Sequence, residues 1–317
     1  MNQFLRSALF SSLPVVGAGA LTAASGNALL FNQQVEGTSP GLVAWWTILC
    51  AVSVGNIWML RLSASALEER RESTDPALFK YQRIQLFLSA VYVVGCAFRA
   101  LVPRADVQRF GLFDTWISSV LVGRSVATIA ELCFAAQWAM LLYRIAKDAD
   151  CRFGMVSARL LVPMIVVAEI CSWYAVLTTA YIGNAFEESI WAIAAALLVG
   201  GLAASWTRCN PSTQPAVSVA IILGVAYVAY MCAVDVPMYA TRWLHDEANG
   251  REYLSLQHGL WDVSSRWVVT HSWEEWHPEL IWMSLYFSVG VWCSLAMVHI
   301  PQRGKTESAA TVSPVQA

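Results

Sequence analysis

The sequence predicts an all-α integral membrane protein: a bundle of seven transmembrane helices, preceded by an N-terminal helix that makes eight spans or by a signal peptide. Composition is the first reason. Of the 317 residues, 57% are hydrophobic and 13% are charged, whereas an ordinary soluble domain is about 25% charged. The second reason is that apolar runs recur along the chain at the length of about 20 helical residues that crosses a bilayer.

Seven apolar runs meet this length criterion. They lie near residues 42–61, 84–103, 114–143, 157–181, 188–207, 216–239 and 280–299. Residues 1–31 form an eighth candidate, an N-terminal transmembrane helix or a signal peptide. We favour the uncleaved helix because the apolar run resumes at "ALLF" after any plausible cleavage point and no A-x-A site is convincing.

The distribution of Lys and Arg predicts the orientation, since basic residues collect in cytoplasmic loops. With the first long loop inside, few basic residues fall outside: Arg104, Arg109, Arg242, Arg251 and Arg266. We therefore predict a plasma (inner) membrane protein whose polytopic domain covers residues 40–300. Residues 301–317 are predicted to be a disordered cytoplasmic tail.

An outer loop is predicted at residues 241–279. After the "NG" pair, apolar residues from Tyr253 to Trp267 recur at helical spacing, which predicts an amphipathic helix lying in the membrane interface. Pro278 fits the first turn of the last spanning helix.

Five charged side chains fall inside the predicted spans: Arg99, Arg124, Glu131, Glu169 and Asp235. A charge at the centre of a bilayer costs about 3 kcal/mol on insertion scales, so each of the five is a candidate functional residue. An ion pair that only fixes helix packing is the alternative explanation for each.

Glu131 and Glu169 are predicted to meet. Each lies 12 residues from the same end of neighbouring antiparallel spans, which places both about 18 Å from one membrane face. Two carboxyls in a site of low dielectric constant do not both ionise easily, so such a pair can relay protons, bind a cation, or act as acid and base. Our prediction is a proton relay.

Arg124 and Glu131 are seven residues apart, about 10.5 Å along one helix, which predicts that they are too distant for a direct pair. Asp235 matches Arg124 in depth and is the predicted partner in an outer layer. The predicted solute-binding residues are Arg99, Arg124, Asp235, Tyr174 and Tyr239. Glu187 and Glu188 are interpreted as charged residues at the solvated end of a helix. Asn56 and Gln137 are interpreted as interhelical hydrogen-bonding residues.

No cofactor and no metal are predicted. The histidines of "HSWEEWH" match no standard zinc spacing. The only lysines are Lys80, Lys147 and Lys305, which lie outside the spans, so a retinal Schiff base is excluded. No basic block points to nucleic acid.

Three functions remain open. The first is a proton-coupled transporter or channel for a small polar or anionic solute. The second is a membrane-embedded enzyme that acts on a lipid or isoprenoid from the outer leaflet, with Glu131 and Glu169 as acid and base. The third is a non-catalytic sensor or assembly subunit. The predicted partners are the bilayer and a small solute or lipid, and the sequence does not determine the oligomeric state.

Overall fold

The computed structural model describes residues 38–300 and consists mainly of long helices. Seven of them are long and apolar enough to cross a membrane. They are α1 (Pro40–Glu69), α2 (Pro76–Leu101), α3 (Val120–Asp148), α4 (Arg152–Thr178), α5 (Tyr181–Trp206), α6 (Gln214–Ala248) and α8 (Trp273–His299). The helix or signal peptide expected at residues 1–31 and the tail expected at 301–317 lie outside the described residues.

Local sequence explains where several helices begin. Pro40 and Pro76 occupy first-turn positions of α1 and α2, where the missing N–H has no intrahelical acceptor to lose. The Asp75 carboxylate caps α2 by accepting hydrogen bonds from the backbone N–H groups of Ala77 and Leu78. Seven helices thus match the seven predicted spans, and they extend beyond the apolar run at one end or both. In the third span, α3 begins at Val120, six residues after the predicted start.

The outer loop is shorter than expected because α6 continues to Ala248. A short helix follows, α7 (Leu256–Ser265), close to the expected position of the amphipathic helix. Trp267 lies beyond its end, so the prediction that the helical pattern reaches Trp267 is wrong. The placement of Pro278 in the first turn of the last helix is also wrong: α8 begins at Trp273, and Pro278 lies in a 3₁₀ turn, His277–Glu279.

A small β-sheet closes one end of the bundle, which we call the sheet end. Its strands are β1 (Arg104–Ala105), β2 (Phe110–Gly111) and β3 (Val268–Val269); β2 pairs antiparallel with β1 and parallel with β3. A buried ion pair, Arg109 Nε to Asp262 Oδ2 at 2.5 Å, fastens α7 to this sheet. Nothing in the composition of these two-residue strands indicates a sheet, since the signal from such short strands is weak.

The bundle has two main apolar clusters. One joins α1, α2 and α8, and the other is built mainly from α3, α4 and α5. Gln137 of α3 hydrogen-bonds the carbonyl groups of Gln85 on α2 and Ser294 on α8, at 3.0 and 3.3 Å. Asn56 of α1 donates to the Phe287 carbonyl of α8 at 2.8 Å. The interpretation of Asn56 and Gln137 as interhelical hydrogen-bonding residues is confirmed.

The packing leaves α6 at the periphery. α6 makes its extensive contacts with α5, whereas α8 packs against α1, α2 and α3. Both α6 and α8 contain a π-helical turn, Met231–Asp235 and Tyr286–Gly290. Pro237 follows the first of these turns and lacks the N–H that a regular helix would use there. Within residues 38–300, α6 and α8 make no extensive contact with each other, and we call the gap between them the cleft.

Close packing of α4 and α5 depends on Gly183. A methyl group at this position would lie 2.6 Å from the Cys171 carbonyl oxygen and 2.7 Å from the Ala175 Cβ. These two contacts are shorter than van der Waals distances, and the first is to backbone that cannot turn aside. Gly183 therefore allows the two helices to approach closely at the level of the charged residues described below.

We expect Gly183→Ala to lower the free energy of unfolding by about 1–3 kcal/mol, because overpacking forces a backbone shift. Gly55→Ala is the matched control, since nothing lies within 4 Å of the added methyl group. Thermal unfolding in detergent measures both. Equal unfolding temperatures for the two variants would contradict the packing at Gly183.

Candidate functional site

The candidate site is a buried arginine that contacts three glutamates, and we call it the carboxylate cluster: Arg124, Glu131, Glu169 and Glu187. Arg124 Nη2 lies 3.0 Å from Glu131 Oε2, 2.6 Å from Glu169 Oε2 and 3.5 Å from Glu187 Oε1. All four residues are less than 10% exposed. Charges this deep in a bundle are expected to be paired, because each ion has lost its hydration.

Three helices supply the cluster. Arg124 and Glu131 are on α3, Glu169 is on α4 and Glu187 is on α5. Glu131 is 11 residues from the start of α3, about 17 Å along the axis, so the cluster lies in the half of the bundle nearer the sheet end. The expectation that Glu131 and Glu169 meet in space is confirmed, since both bind the same Arg124 nitrogen.

Arg124 and Glu131 are in direct contact, so the expectation that a separation of seven residues along the helix is too long for an ion pair is wrong. Side chains on a helix lean toward its N-terminus, so Glu131 leans toward Arg124. The long Arg124 side chain covers the remaining distance along the axis. The rise per residue alone underestimates how far two flexible side chains can reach.

Polar side chains surround the carboxylates and fix their positions. The Thr128 hydroxyl donates to Glu169 Oε2 at 2.6 Å, and Trp173 Nε1 donates in turn to Thr128 at 3.1 Å. The Tyr286 hydroxyl, in the π-helical turn of α8, donates to Glu131 Oε1 at 3.1 Å. Asn184 Nδ2 donates to Glu187 Oε2 at 3.1 Å. The cluster thus connects α3, α4, α5 and α8.

The three glutamates also have the spacing of a cation site. One oxygen from each lies within 4.8 Å of the others, and carboxylate oxygens suit hard cations such as Mg²⁺ or Ca²⁺. Arg124 Nη2 lies within 3.5 Å of all three carboxylates. The guanidinium group therefore takes the central position that a metal ion would need.

Arg99 lies closer to the sheet end in a second buried group. Its Nη2 is 3.6 Å from Asp106 Oδ2, and Arg104 Nε is 2.8 Å from Asp106 Oδ1. Arg99 also lies over the Trp282 ring, 5.8 Å from its centroid. Burial alone would raise the pKa of the Asp106 carboxyl, but the charges of Arg104 and Arg99 outweigh it and hold the pKa below its ordinary value.

Asp235 does not pair with Arg124 in the described part of the chain, so the predicted Arg124–Asp235 layer is wrong. Asp235 belongs to the peripheral helix α6, and it lies beside Tyr230 and within electrostatic reach of Arg242. Tyr239 packs against Tyr181 and Arg242, with ring centroids 6.2 Å apart and the guanidinium carbon 5.7 Å from the Tyr239 ring. The pair was predicted because Asp235 and Arg124 lie at the same depth in their helices. Equal depth does not bring the two side chains together, because α5 separates α6 from α3.

Tyr174 is also outside the carboxylate cluster. Its side chain is 46% exposed on α4, whereas Glu169 on the same helix points into the bundle. The expected solute-binding residues thus divide into separate groups. Arg124 is in the cluster, Arg99 is with Asp106, Asp235 and Tyr239 are on α6, and Tyr174 is on the outer face of α4.

Glu187 is the member of the cluster that sequence reasoning missed. The apolar run was expected to begin at residue 188, which placed Glu187 outside the membrane, but α5 begins at Tyr181 and Glu187 is 4% exposed. Asn184 and Glu187 are three residues apart, the spacing of one helical face. That polar pair close to the start of an apolar helix was the available signal.

No protein-family model, no curated protein and no solved structure matches the chain.

We expect Arg124→Gln to lower the free energy of unfolding by about 3–5 kcal/mol, the range for breaking a buried ion pair by removing one partner. The three glutamates would then share no permanent cation. Adding Glu169→Gln to this variant should recover part of the loss, because it removes one of the uncompensated acids. Thermal unfolding of the single and double variants measures the effect; a double variant less stable than Arg124→Gln would contradict the assigned charges.

The depressed pKa of Asp106 predicts a loss of stability in acid. Its contribution is fully present above the unfolded pKa of about 3.9 and is lost as the pH falls through the lower folded value. Asp106→Asn should therefore be less stable than wild type by about 3 kcal/mol at pH 6, and the difference should narrow below pH 4. Unfolding temperatures across this pH range measure it, and a difference that does not change with pH would contradict the ion pair.

Proposed function

We propose that this polytopic protein is a proton-coupled transporter or channel for a small polar solute, with Glu131 and Glu169 as its proton-carrying pair and Glu187 as a third member. In this proposal the protein lies in the plasma membrane with the sheet end outside. The bias of Lys and Arg toward the opposite end supports that orientation.

One observation carries the proposal: three buried carboxyls share a single guanidinium. If all three carboxyls were ionised, the cluster would carry two excess negative charges, because the one guanidinium group neutralises only one carboxylate. Two further acidic residues lie within electrostatic reach of the cluster. Glu188 interacts with Glu131 and Glu187, and Asp106 interacts with Arg124. Protons shared among the carboxyls would reduce this excess, as expected for coupled acids in a site of low dielectric constant.

The hydrogen bonds around the carboxyls support proton movement between them. One oxygen of Glu131 lies within 4.8 Å of one oxygen of Glu169, and both carboxyls bind Arg124. The Tyr286 hydroxyl contacts Glu131, and the Thr128 hydroxyl contacts Glu169. Hydroxyl groups can both donate and accept, so they can extend the proton path beyond the carboxyls.

An anionic solute would have to compete for arginines that are already paired. Arg99 and Arg104 contact Asp106, Arg109 contacts Asp262, and Arg124 contacts the three glutamates. Each of these guanidinium groups is buried, and freeing one would leave a carboxylate without its partner. The geometry therefore favours a polar solute over an anion.

A lipid-modifying enzyme is the second candidate, and the cleft between α6 and α8 is the observation that favours it. A substrate in the bilayer could enter this cleft from the side without passing through water. Glu131 and Glu169 would then act as acid and base. This candidate predicts turnover of a lipid without proton transport.

Proton exchange by the purified protein in liposomes tests the first candidate. We expect wild type to carry protons across the membrane after a pH step, and Glu131→Gln and Glu169→Gln each to reduce the rate at least tenfold. Each substitution removes one exchangeable proton and keeps the shape of the side chain.

Asp148→Asn is the matched control, because Asp148 lies at the exposed end of the same helix as Glu131, and it should retain the wild-type rate. Unfolding temperatures establish that each variant is folded. Unchanged rates in both glutamate variants would reject the relay and leave the enzyme or a structural role as the explanation.

A further inference from the structure

Two oxygens at the carboxylate cluster accept no hydrogen bond among the described residues, Glu169 Oε1 and Asn184 Oδ1. The Ser172 hydroxyl and Arg124 Nε beside them also have no hydrogen-bond partner there. Glu169 is 3% exposed and Asn184 is 7% exposed, so these oxygens are buried. A buried polar atom without a partner costs about 1–3 kcal/mol. Each such atom requires an explanation, and a bound ion or ligand that supplies the missing donor is one.

The two oxygens lie at one seam of the bundle. Asn184 Nδ2 binds Glu187 Oε2 at 3.1 Å, and Glu187 and Glu169 both contact Arg124. Asn184 and Glu169 are thus linked through the same cluster, where α4 and α5 approach closely. Glu169 Oε1 and the amide oxygen Asn184 Oδ1 lack a donor, and the three carboxyls outnumber the one guanidinium group. A ligand that supplies N–H donors and a positive charge therefore matches this seam.

The cleft between α6 and α8 offers a route toward this seam, and acidic side chains line this route as they line the seam. Glu188 is half-buried on α5 and has no ion-pair or hydrogen-bond partner among residues 38–300; it lies within electrostatic reach of Asp235, Glu187 and Tyr227. The route therefore presents two carboxyls, Asp235 and Glu188, together with tyrosine rings, and Arg242 lies within electrostatic reach of Asp235. Carboxyls and aromatic faces both attract cations.

A cavity of about 370 Å³ lies at the sheet end of the cleft. It is lined by Gln108, Phe110, Tyr181, Arg242, Glu274, Glu275, Pro278 and Glu279. Three of these side chains are acidic and one is basic. The basic one, Arg242, is itself held over the Tyr181 and Tyr239 rings, with its guanidinium carbon 5.6 and 5.7 Å from their centroids. The two tyrosine rings therefore already form cation–π contacts with a positively charged side chain of the protein.

We propose that the solute is an ammonium cation, either the ammonium ion or a small protonated amine. It enters through this cavity, follows Asp235 and Glu188, and donates N–H bonds to Glu169 Oε1 and Asn184 Oδ1. This inference rests on the proposed transport function and names its substrate class. Exchange of the cation for the protons of the carboxyl groups keeps the charge of the cluster balanced.

Calorimetric titration of the protein in lipid nanodiscs tests the inference with three probes. Methylammonium has the charge and the N–H donors, tetramethylammonium has the charge without the donors, and acetate has the opposite charge. We expect saturable binding of methylammonium, with tetramethylammonium at least tenfold weaker and acetate without measurable binding.

Two variants locate the site. Asn184→Ala removes the acceptor at the seam, and Glu188→Gln removes a carboxylate charge from the cleft; each should weaken methylammonium binding at least tenfold. Glu188→Gln keeps the test decisive if Asn184→Ala does not fold, because Glu188 has no partner to lose. Ser189→Ala is the matched control on α5, since the Ser189 hydroxyl bonds the Ala185 carbonyl of its own helix, and it should bind as wild type does.

The inference is overturned if methylammonium does not bind saturably, if acetate or tetramethylammonium binds as tightly, or if both variants bind as wild type does. These outcomes are separate from failure of the proposed function. Proton exchange without methylammonium binding would retain the transporter and reject this substrate class. Saturable methylammonium binding without proton exchange would reject proton-coupled transport and leave a cation-binding site.

Discussion

The contact of one guanidinium with three carboxylates is the interaction on which the interior of this protein depends. Arg124 is surrounded by Glu131, Glu169 and Glu187 from three different helices. None of these charges could remain buried alone at an acceptable cost. The relative positions of α3, α4 and α5 are therefore tied to the cluster, and a shift of any one helix would leave a charge without its partner.

The rest of the bundle is organised around this requirement. Two main apolar clusters hold α1, α2 and α8 on one side and α3, α4 and α5 on the other. Tyr286 links the two sides, because it belongs to α8 and donates to Glu131. Helix α6 contributes little to either cluster, and only Val217 and Met231 along its length from Gln214 to Ala248 are fully buried. Because α6 is attached mainly to α5, the cleft separates it from α8.

Much of the fold could be predicted, and the site could be predicted in part. Apolar length identified all seven spans, and equal depth on neighbouring antiparallel helices identified the meeting of Glu131 and Glu169. The same depth argument failed for Arg124 and Asp235, because depth does not say which helices are neighbours. Glu187 was missed because an apolar run marks the hydrocarbon region, whereas α5 begins seven residues earlier than that run. The β-sheet could not be predicted because two-residue strands leave no periodic pattern.

The sequence by itself determined the class of protein, the number of apolar helices and five of the charged residues inside them, although not Glu187. These properties follow from composition and segment length, which act residue by residue through transfer from water to hydrocarbon. Only the tertiary structure decided which charges meet. Pairing depends on helix rotation, on neighbour order around the bundle and on close approach at Gly183, and these are set by packing between segments distant in sequence. The same packing placed Glu187 in the cluster, Asp235 on the peripheral helix and two unpaired acceptors at the seam of α4 and α5.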